Sequence, residues 1–283
     1  MPLPSKHDDL CPKEREREEE EEEEELIDSS MFEEPEAYKV PDPEPTFATF
    51  TREPGQVEEG TPKELKLRLV GSHPLWGHLL WNAAKRFAWR LDGEKELVRG
   101  RRVLELGAAA GLPSLVAAGN GASQVVMTDY PDPDLMGNME YNARSNFPEL
   151  VESGRLAVRG YIWGQDVEEL MRESPSKEAE PFDVIILSDL LFNHSQHRNL
   201  LWTCKQTLSR SNPDARVYVF FTHHRPHLAD KDMAFFTLAT LPEYGFKVTR
   251  VEETRMDPMF PEDPGSEEVR ATVHGFKLTW SME

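Results

Sequence analysis

The chain has 283 residues, of which 52 are acidic and 32 are lysine or arginine, for a formal net charge of −20. That balance disfavours a nucleic-acid partner and favours a basic one. Cys11 and Cys204 are the two cysteines, so no disulfide framework is implied and a reducing compartment, the cytoplasm, is expected. No apolar run approaches the ~20 residues of a membrane span, and the N-terminus lacks the basic-then-apolar pattern of a signal peptide, so no membrane association is expected.

Residues 1–45 read as a disordered acidic arm. Glu18 to Glu25 is an unbroken acidic run flanked by Arg15, Arg17 and Asp28, and such a block repels itself and buries no apolar surface. Pro41, Pro43 and Pro45 extend it. The arm reads either as a solvated tail or as a weak electrostatic lure for a basic partner. Residues 46–283 read as one domain.

Phe47 to Val57 holds a short strand or an ordered lead-in. Lys63 to Val70 alternates Leu65, Leu67 and Leu69 with charged residues, the pattern of an exposed edge strand. Gly71-Ser-His-Pro74 is a turn. Leu75 to Arg90 follows as a helix with Leu79, Leu80, Ala83, Ala84, Phe87 and Ala88 at helical spacing, and Gly93 ends it. Trp76 and Trp81 stand near its start, where indoles more often anchor a core than touch a ligand.

Val103 to Leu106 is a buried strand that breaks at Gly107. The small-residue segment Ala108 to Gly111 comes next, then a helix over Leu112 to Ala118 with Pro113 in its first turn. Gln124 to Thr128 is a second strand closed by Asp129, about twenty residues past the first turn, where a ribose-binding carboxylate is expected. A strand, a tight glycine turn and a helix N-terminus let a nucleotide-like ligand lie against backbone. Ala109 fills the place of a middle glycine, so the turn suits a pyrophosphate poorly. A ligand with ribose and base but no phosphate, such as S-adenosylmethionine, suits it better. A plain βαβ crossover with small residues at its helix–strand contact would give the same pattern.

Beyond Asp129, Pro131 and Pro133 bend a loop, and Leu135 to Asn146 is a helix with Asn138 and Asn142 on one face. Arg155 to Gly160 is a strand. Trp163 lies in the loop past its C-terminal end, where open α/β sheets bind ligands; its indole is either a lid for an adenine ring or an ordinary loop aromatic. Glu168 to Glu180 is a polar helix with a variable loop. Phe182 to Ser188 is a buried strand that ends in Asp189. A half-buried carboxylate is costly without a partner, so Asp189 either caps the next helix or orients a cationic amine.

Gln196 to Leu208 is a helix, and Arg216 to Thr222 a strand. His223, His224 and His227 follow, but without acidic or cysteine partners at metal-site spacing, so no metal is expected. His194 and His197 read as polar residues at a helix start. Met233 to Leu241 is a helix. Phe246 to Glu253 and Ala271 to Trp280 are strands joined by the non-helical, proline-rich Met256 to Gly265, an antiparallel pair at a sheet edge.

This order of elements resembles the seven-β-strand S-adenosylmethionine-dependent methyltransferases. More narrowly it is similar to methyltransferase family 16, the lysine methyltransferases of non-histone proteins. Leu79-Leu-Trp81-Asn-Ala-Ala84, Leu104-Glu-Leu-Gly-Ala-Ala-Ala-Gly-Leu-Pro113 and Ser188-Asp-Leu-Leu-Phe192 carry the likeness. The last matches the family's Asp-x-x-Tyr/Phe motif, with Phe192 in place of the commoner Tyr, which removes a hydroxyl. Gly71-Ser-His-Pro-Leu-Trp-Gly-His78, Thr128-Asp-Tyr-Pro-Asp132 and Leu191-Phe-Asn-His-Ser-Gln-His197 are most like the fungal branch that acts on elongation factor 1-alpha.

The resemblance implies an α/β fold: a Rossmann-like, seven-stranded, mostly parallel sheet with helices on both faces and an antiparallel final strand. It makes residues 46–283 the methyltransferase domain. It implies S-adenosylmethionine contacts at Trp81, Gly107, Ala108, Ala109, Asp129, Trp163 and Ser188, the last through backbone because relatives often carry Ala there. Asp189 and Phe192 are the expected catalytic residues, Asp189 holding the amine while Phe192 and Trp163 wall the site. The implied reaction methylates the N-terminal glycine amine and the adjacent lysine of elongation factor 1-alpha, in a monomeric enzyme. The alternative is N-methylation of a small, nicotinamide-like molecule.

Overall fold

A computed structural model describes residues 43–71, 77–174 and 178–281. The acidic run, Cys11 and Trp76 lie outside the described residues. Two strands come first, β1 (Thr46–Thr51) and β2 (Glu64–Leu69), paired antiparallel as a separate ribbon. The remaining elements are α1 (Asn82–Gly93), β3 (Arg102–Leu106), α2 (Leu112–Gly119), β4 (Gln124–Asp129), α3 (Pro133–Asn146), α4 (Pro148–Glu152), β5 (Leu156–Gly160), α5 (Glu168–Met171), β6 (Val184–Ser188), α6 (His197–Thr207), β7 (Arg216–Thr222), α7 (Ala229–Ala239), β8 (Phe246–Arg255), α8 (Glu267–Ala271) and β9 (Thr272–Trp280).

The main sheet has seven strands in the order β5-β4-β3-β6-β7-β9-β8. The pairs from β5 across to β7 are parallel, and β9 runs antiparallel to both its neighbours. The expected seven-stranded, mostly parallel architecture is therefore present, and the antiparallel final strand β9 lies between β7 and β8, so β8 is the edge. The central strands are apolar along their whole length because both faces are covered. Val103, Val125, Met127, Val184 and Ile186 pack with α1, α2 and α3. Leu104, Leu106, Val126, Ile185 and Leu187 alternate with them and pack on the opposite face, with Leu200 and Leu201 of α6 and Phe235 and Phe236 of α7.

The order reverses beside β3, since the chain leaves it for β4 and β5 on one side and returns to β6 on the other. At such a switch the loops after the strands diverge and leave a crevice above their C-terminal ends. The chain has thereby placed the segments after Leu106, Asp129 and Ser188 around one opening.

The ribbon differs from the exposed edge expected of Lys63 to Val70. Leu65 and Leu67 are fully buried, and the outer backbone of β2 is paired by side chains of α3. The Arg68 N–H donates to Asn142 Oδ1 (2.7 Å), and the Arg68 carbonyl accepts from Asn138 and Asn142 Nδ2 (2.9 Å each). Asn146 does the same for Lys66. Asparagine amides one turn apart thus satisfy backbone groups that would otherwise form an open edge. The buried Arg52 pins the ribbon to the domain, donating to the Asp92 carboxylate (3.0 Å) and to Asn120 Oδ1 (2.8 Å).

Three boundaries depart from the sequence expectation. Helix α1 begins at Asn82, not Leu75, because Trp81 is extended (ψ 146°), which frees its indole from the helix. Among the described residues of the polar 168–180 stretch, Glu168 to Met171 alone are helical; the stretch has no apolar stripe long enough to hold a longer helix on the sheet. The link before β9 is not wholly irregular, since Ser266 caps the short α8 through an acceptor bond from the Val269 N–H.

Candidate active site

Three left-handed residues shape the turn after β3: Gly107 (φ 65°), Ala109 (φ 49°) and Gly111 (φ 76°). At Gly107 the requirement is also steric. A Cβ there would sit 2.6 Å from Leu190 Cδ2 and 3.1 Å from Trp163 Cζ2, so Trp163 and Leu190 close directly over the turn. Ala109 tolerates a strained backbone because its N–H donates to Asp129 Oδ2 (2.7 Å). Asp129 Oδ1 accepts from the Tyr130 N–H (2.7 Å). The carboxylate that closes β4 therefore ties the glycine turn to the neighbouring strand and keeps its position by charge-assisted bonds.

Beneath the turn lies Glu105, buried in the sheet. Its Oε2 accepts from the Ser114 N–H (2.9 Å), and its Oε1 has no hydrogen-bond partner. Burial pushes its carboxyl up to about 8, a shift opposed by the Ser114 contacts and reinforced by the charge of Asp129. Glu105 is consequently protonated at neutral pH.

Across the opening, Asp189 follows β6 in the left-handed region (φ 58°) and is 6% exposed. It does not cap the next helix, whose N-terminus makes no side-chain cap bond. Its carboxylate accepts from the Thr222 N–H (3.2 Å) and faces His224 Nε2, 3.1 Å from both oxygens. Burial lowers the His224 pKa, but the charge and hydrogen bond of Asp189 outweigh it and the net shift is upward. The His224 ring packs on Trp81, centroids 4.7 Å apart. Arg225 donates to the Phe192 carbonyl (3.2 Å), so consecutive residues after β7 brace both Asp189 and Phe192.

These parts enclose one cavity of about 280 Å³. Trp81, Gly107, Ala109, Asp129, Trp163, Ser188, Asp189 and Phe192 all line it. Ala108 does not: it is buried, and its N–H is spent on the Thr128 carbonyl (2.9 Å). Residues that the sequence reading passed over also line it, notably Tyr130, Leu135, Tyr161, Ile162, Asn193 and Gln196. Tyr130 and Ile162 are 49% and 44% exposed and form an apolar rim. Their signal was adjacency, since each flanks a residue already singled out.

His224 had no such signal, because its link to Asp189 depends on β6 lying beside β7. The proline-rich link had none either: Phe260 packs against both Trp81 (5.9 Å) and His224 (6.3 Å), and Asn82 Nδ2 donates to the Asp257 carbonyl (2.6 Å). His194 and His223 both bind Asp232 at 2.7 Å. Among the described residues no group of three or more histidine, cysteine or acidic side chains is placed to hold a metal.

The chain is 48% identical to the protein N-terminal and lysine N-methyltransferase efm7 of Schizosaccharomyces pombe over 88% of its own length and 94% of the relative's. It is 44% identical to the corresponding EFM7 protein of Candida albicans over 89% and 95%. A solved Streptococcus mutans structure, described as a SAM-dependent methyltransferase, shares the fold with a TM-score of 0.52 at 14% identity, over 85% of this chain and 57% of that one. The family model for lysine methyltransferases matches residues 63–241, a span that holds the glycine turn, Asp129, Asp189 and His224. With that match and relatives of this identity over nearly full length, the chain belongs to the lysine methyltransferase family.

Proposed function

We infer that this protein transfers methyl groups from S-adenosylmethionine to the N-terminal amine and the adjacent lysine of elongation factor 1-alpha. The observation that carries the reading is the single cavity at the switch point, with the glycine turn and Asp129 on one side and Asp189 and Phe192 on the other. Relatives 44–48% identical that are named as protein N-terminal and lysine methyltransferases support it.

The residues present fit the cofactor. A Cβ at Gly107 would fill the space beneath Trp163, Asp129 offers a fixed carboxylate at the strand end, and the walls are largely aromatic or aliphatic. The Ser188 hydroxyl, beside the cavity, is buried without a hydrogen-bond partner, a polar atom that an occupant would be expected to satisfy. Ribose hydroxyls would bond to Asp129, and Trp163 and Ile162 would cover the base. The bound donor supplies a methyl group already activated on a sulfonium, so the protein's own task is alignment and exclusion of water.

The acceptor must arrive as a neutral amine. An α-amine, with a pKa near 7.7–8.0, gives up its proton at pH 7 for about 1 kcal/mol, whereas lysine, near 10.4, needs about 5 kcal/mol at 1.36 kcal/mol per unit. Trp81, which packs on the His224 bonded to Asp189, and Phe192 line the cavity toward Asp189, and apolar walls favour the uncharged amine. Asp189 accepts an N–H of that amine and directs its lone pair.

Among the described residues no helix is long and apolar enough to cross a membrane. Mass spectrometry of elongation factor 1-alpha after incubation with the protein and S-adenosylmethionine tests the reading. Methylation at the N-terminal glycine and the next lysine is expected; methylation of nicotinamide with none on the protein would overturn it.

A further inference from the structure

The three residues after β7 are spent on the acceptor side of the cavity and its support. His223 Nδ1 is bonded to Asp232, His224 Nε2 to Asp189, and Arg225 to the Phe192 carbonyl. Of these, His224 alone meets a carboxylate that lines the cavity. Its Nε2 lies 3.1 Å from both Asp189 oxygens, so that nitrogen carries a proton whether the ring is neutral or charged, and the second proton is gained or lost at Nδ1. The ring packs at a tilt on Trp81 (4.7 Å) and edge-on to Phe260 (6.3 Å), two rings that also touch each other, and these contacts restrict its rotation.

We propose that His224 is a positioning residue that cancels the charge of Asp189, so that the acceptor amine is engaged through an N–H without being held as an ammonium ion. The proposal rests on the methyl-transfer reading. A lone carboxylate beside the amine would stabilise the protonated, unreactive form and raise its pKa by something of the order of 1–3 units. With an imidazolium behind it, Asp189 keeps its lone pairs for orientation while the pair carries no net charge. The ammonium proton then leaves to water before transfer. The amine nitrogen forms its bond to the methyl carbon as the carbon–sulfur bond breaks, and the sulfur departs as a neutral thioether.

The charged groups facing His224 agree with this role. Asp189 follows β6, and Asp232 of α7 adds a second negative charge that favours the imidazolium, while Arg225 opposes it. Asp232 is already shared by His194 and His223 at 2.7 Å each. The Trp81 and Phe260 rings carry no charge.

The test compares kcat against pH for the full-length protein and for His224→Gln, which retains an N–H donor but no positive charge. Acceptor protonation should hold the variant back at low pH. Its acidic limb should move up by about one unit or more, a roughly tenfold loss of kcat at neutral pH that disappears as pH rises, with KM for the protein substrate not increased and S-adenosylmethionine affinity by calorimetry unchanged. Superimposed profiles, or an equal loss at every pH, would overturn the proposal.

A second measurement needs no activity. Nuclear magnetic resonance titration of His224 should give a midpoint above the usual ~6.5 in the wild type and one lower by about a unit or more in Asp189→Asn; equal midpoints would overturn the pairing. A wild type that methylates no amine, with the midpoints differing as expected, would overturn the functional reading and the role drawn from it, but not the pairing itself.

Discussion

Replacing Glu105 by Gln should flatten the pH dependence of stability and make the domain more stable at alkaline pH. Glu105 is fully enclosed, with one oxygen on the Ser114 N–H and the other unpartnered, and burial lifts its carboxyl from 4.5 to about 8. Between those values the folded chain holds a proton that the unfolded chain has released. The contribution of Glu105 to stability is therefore greatest below about 4.5, falls by about 1.36 kcal/mol for each pH unit, and levels off above about 8. Over the whole window the loss is about 5 kcal/mol, and between pH 6 and 8 about 3 kcal/mol, both upper figures because side-chain relaxation and water entry soften a buried charge.

The substituted glutamine amide would keep an acceptor for the Ser114 N–H and has no proton to lose. Urea unfolding of both proteins at pH 6 and pH 8.5 measures the difference. The gap between variant and wild type should widen toward alkaline pH by roughly 1–3 kcal/mol after that discount. Parallel stability–pH curves for the two proteins would refute the reasoning, since they would mean that Glu105 ionises as easily in the fold as out of it.

Other substitutions separate the jobs of the site. Asp129→Ala removes the partner of the Ala109 and Tyr130 N–H groups and should weaken S-adenosylmethionine binding by roughly tenfold or more, in line with about 1.5–3 kcal/mol for a charged hydrogen bond; calorimetry giving wild-type affinity would count against the assignment. Gly107→Ala places a methyl 2.6 Å from Leu190 Cδ2 at a left-handed φ and should cost roughly 1–2 kcal/mol from the backbone alone, read as a lower urea midpoint. Asp189→Asn should lower kcat while leaving cofactor affinity near wild type, and an unchanged kcat would remove Asp189 from the mechanism. Arg52→Met removes the cation paired with the buried Asp92, which keeps a bond from Asn120 Nδ2, and should destabilise by about 3–5 kcal/mol, with partial recovery when Asp92→Asn is added; a loss below about 1 kcal/mol would show that the pair is dispensable.

The chain announced its parallel core clearly. Val103 to Leu106, Gln124 to Thr128 and Val184 to Ser188 are short apolar runs, and a strand covered on both faces reads that way whatever its neighbours. The glycine turn was equally legible, because Gly107 and Gly111 stand where side chains cannot follow the backbone, and the acid closing the next strand lies at fixed spacing. Local chemistry of this kind survives in sequence because it depends on residues close together along the chain.

What the sequence left open depends on which strands become neighbours. Asp189 read as a helix cap or an amine ligand, and only the placement of β6 beside β7 brings it to His224. Asn138 and Asn142 read as one helix face, and only the docking of the ribbon shows them pairing the backbone of Arg68. The loop containing Phe260 read as a mere connector, yet it folds back onto Trp81. Hydrophobic periodicity and turn residues thus determined the elements and the nucleotide-like turn by themselves. The partners of the buried charges were decided by tertiary structure, because a carboxylate's pairing depends on distances between segments far apart in the chain, which no local pattern encodes.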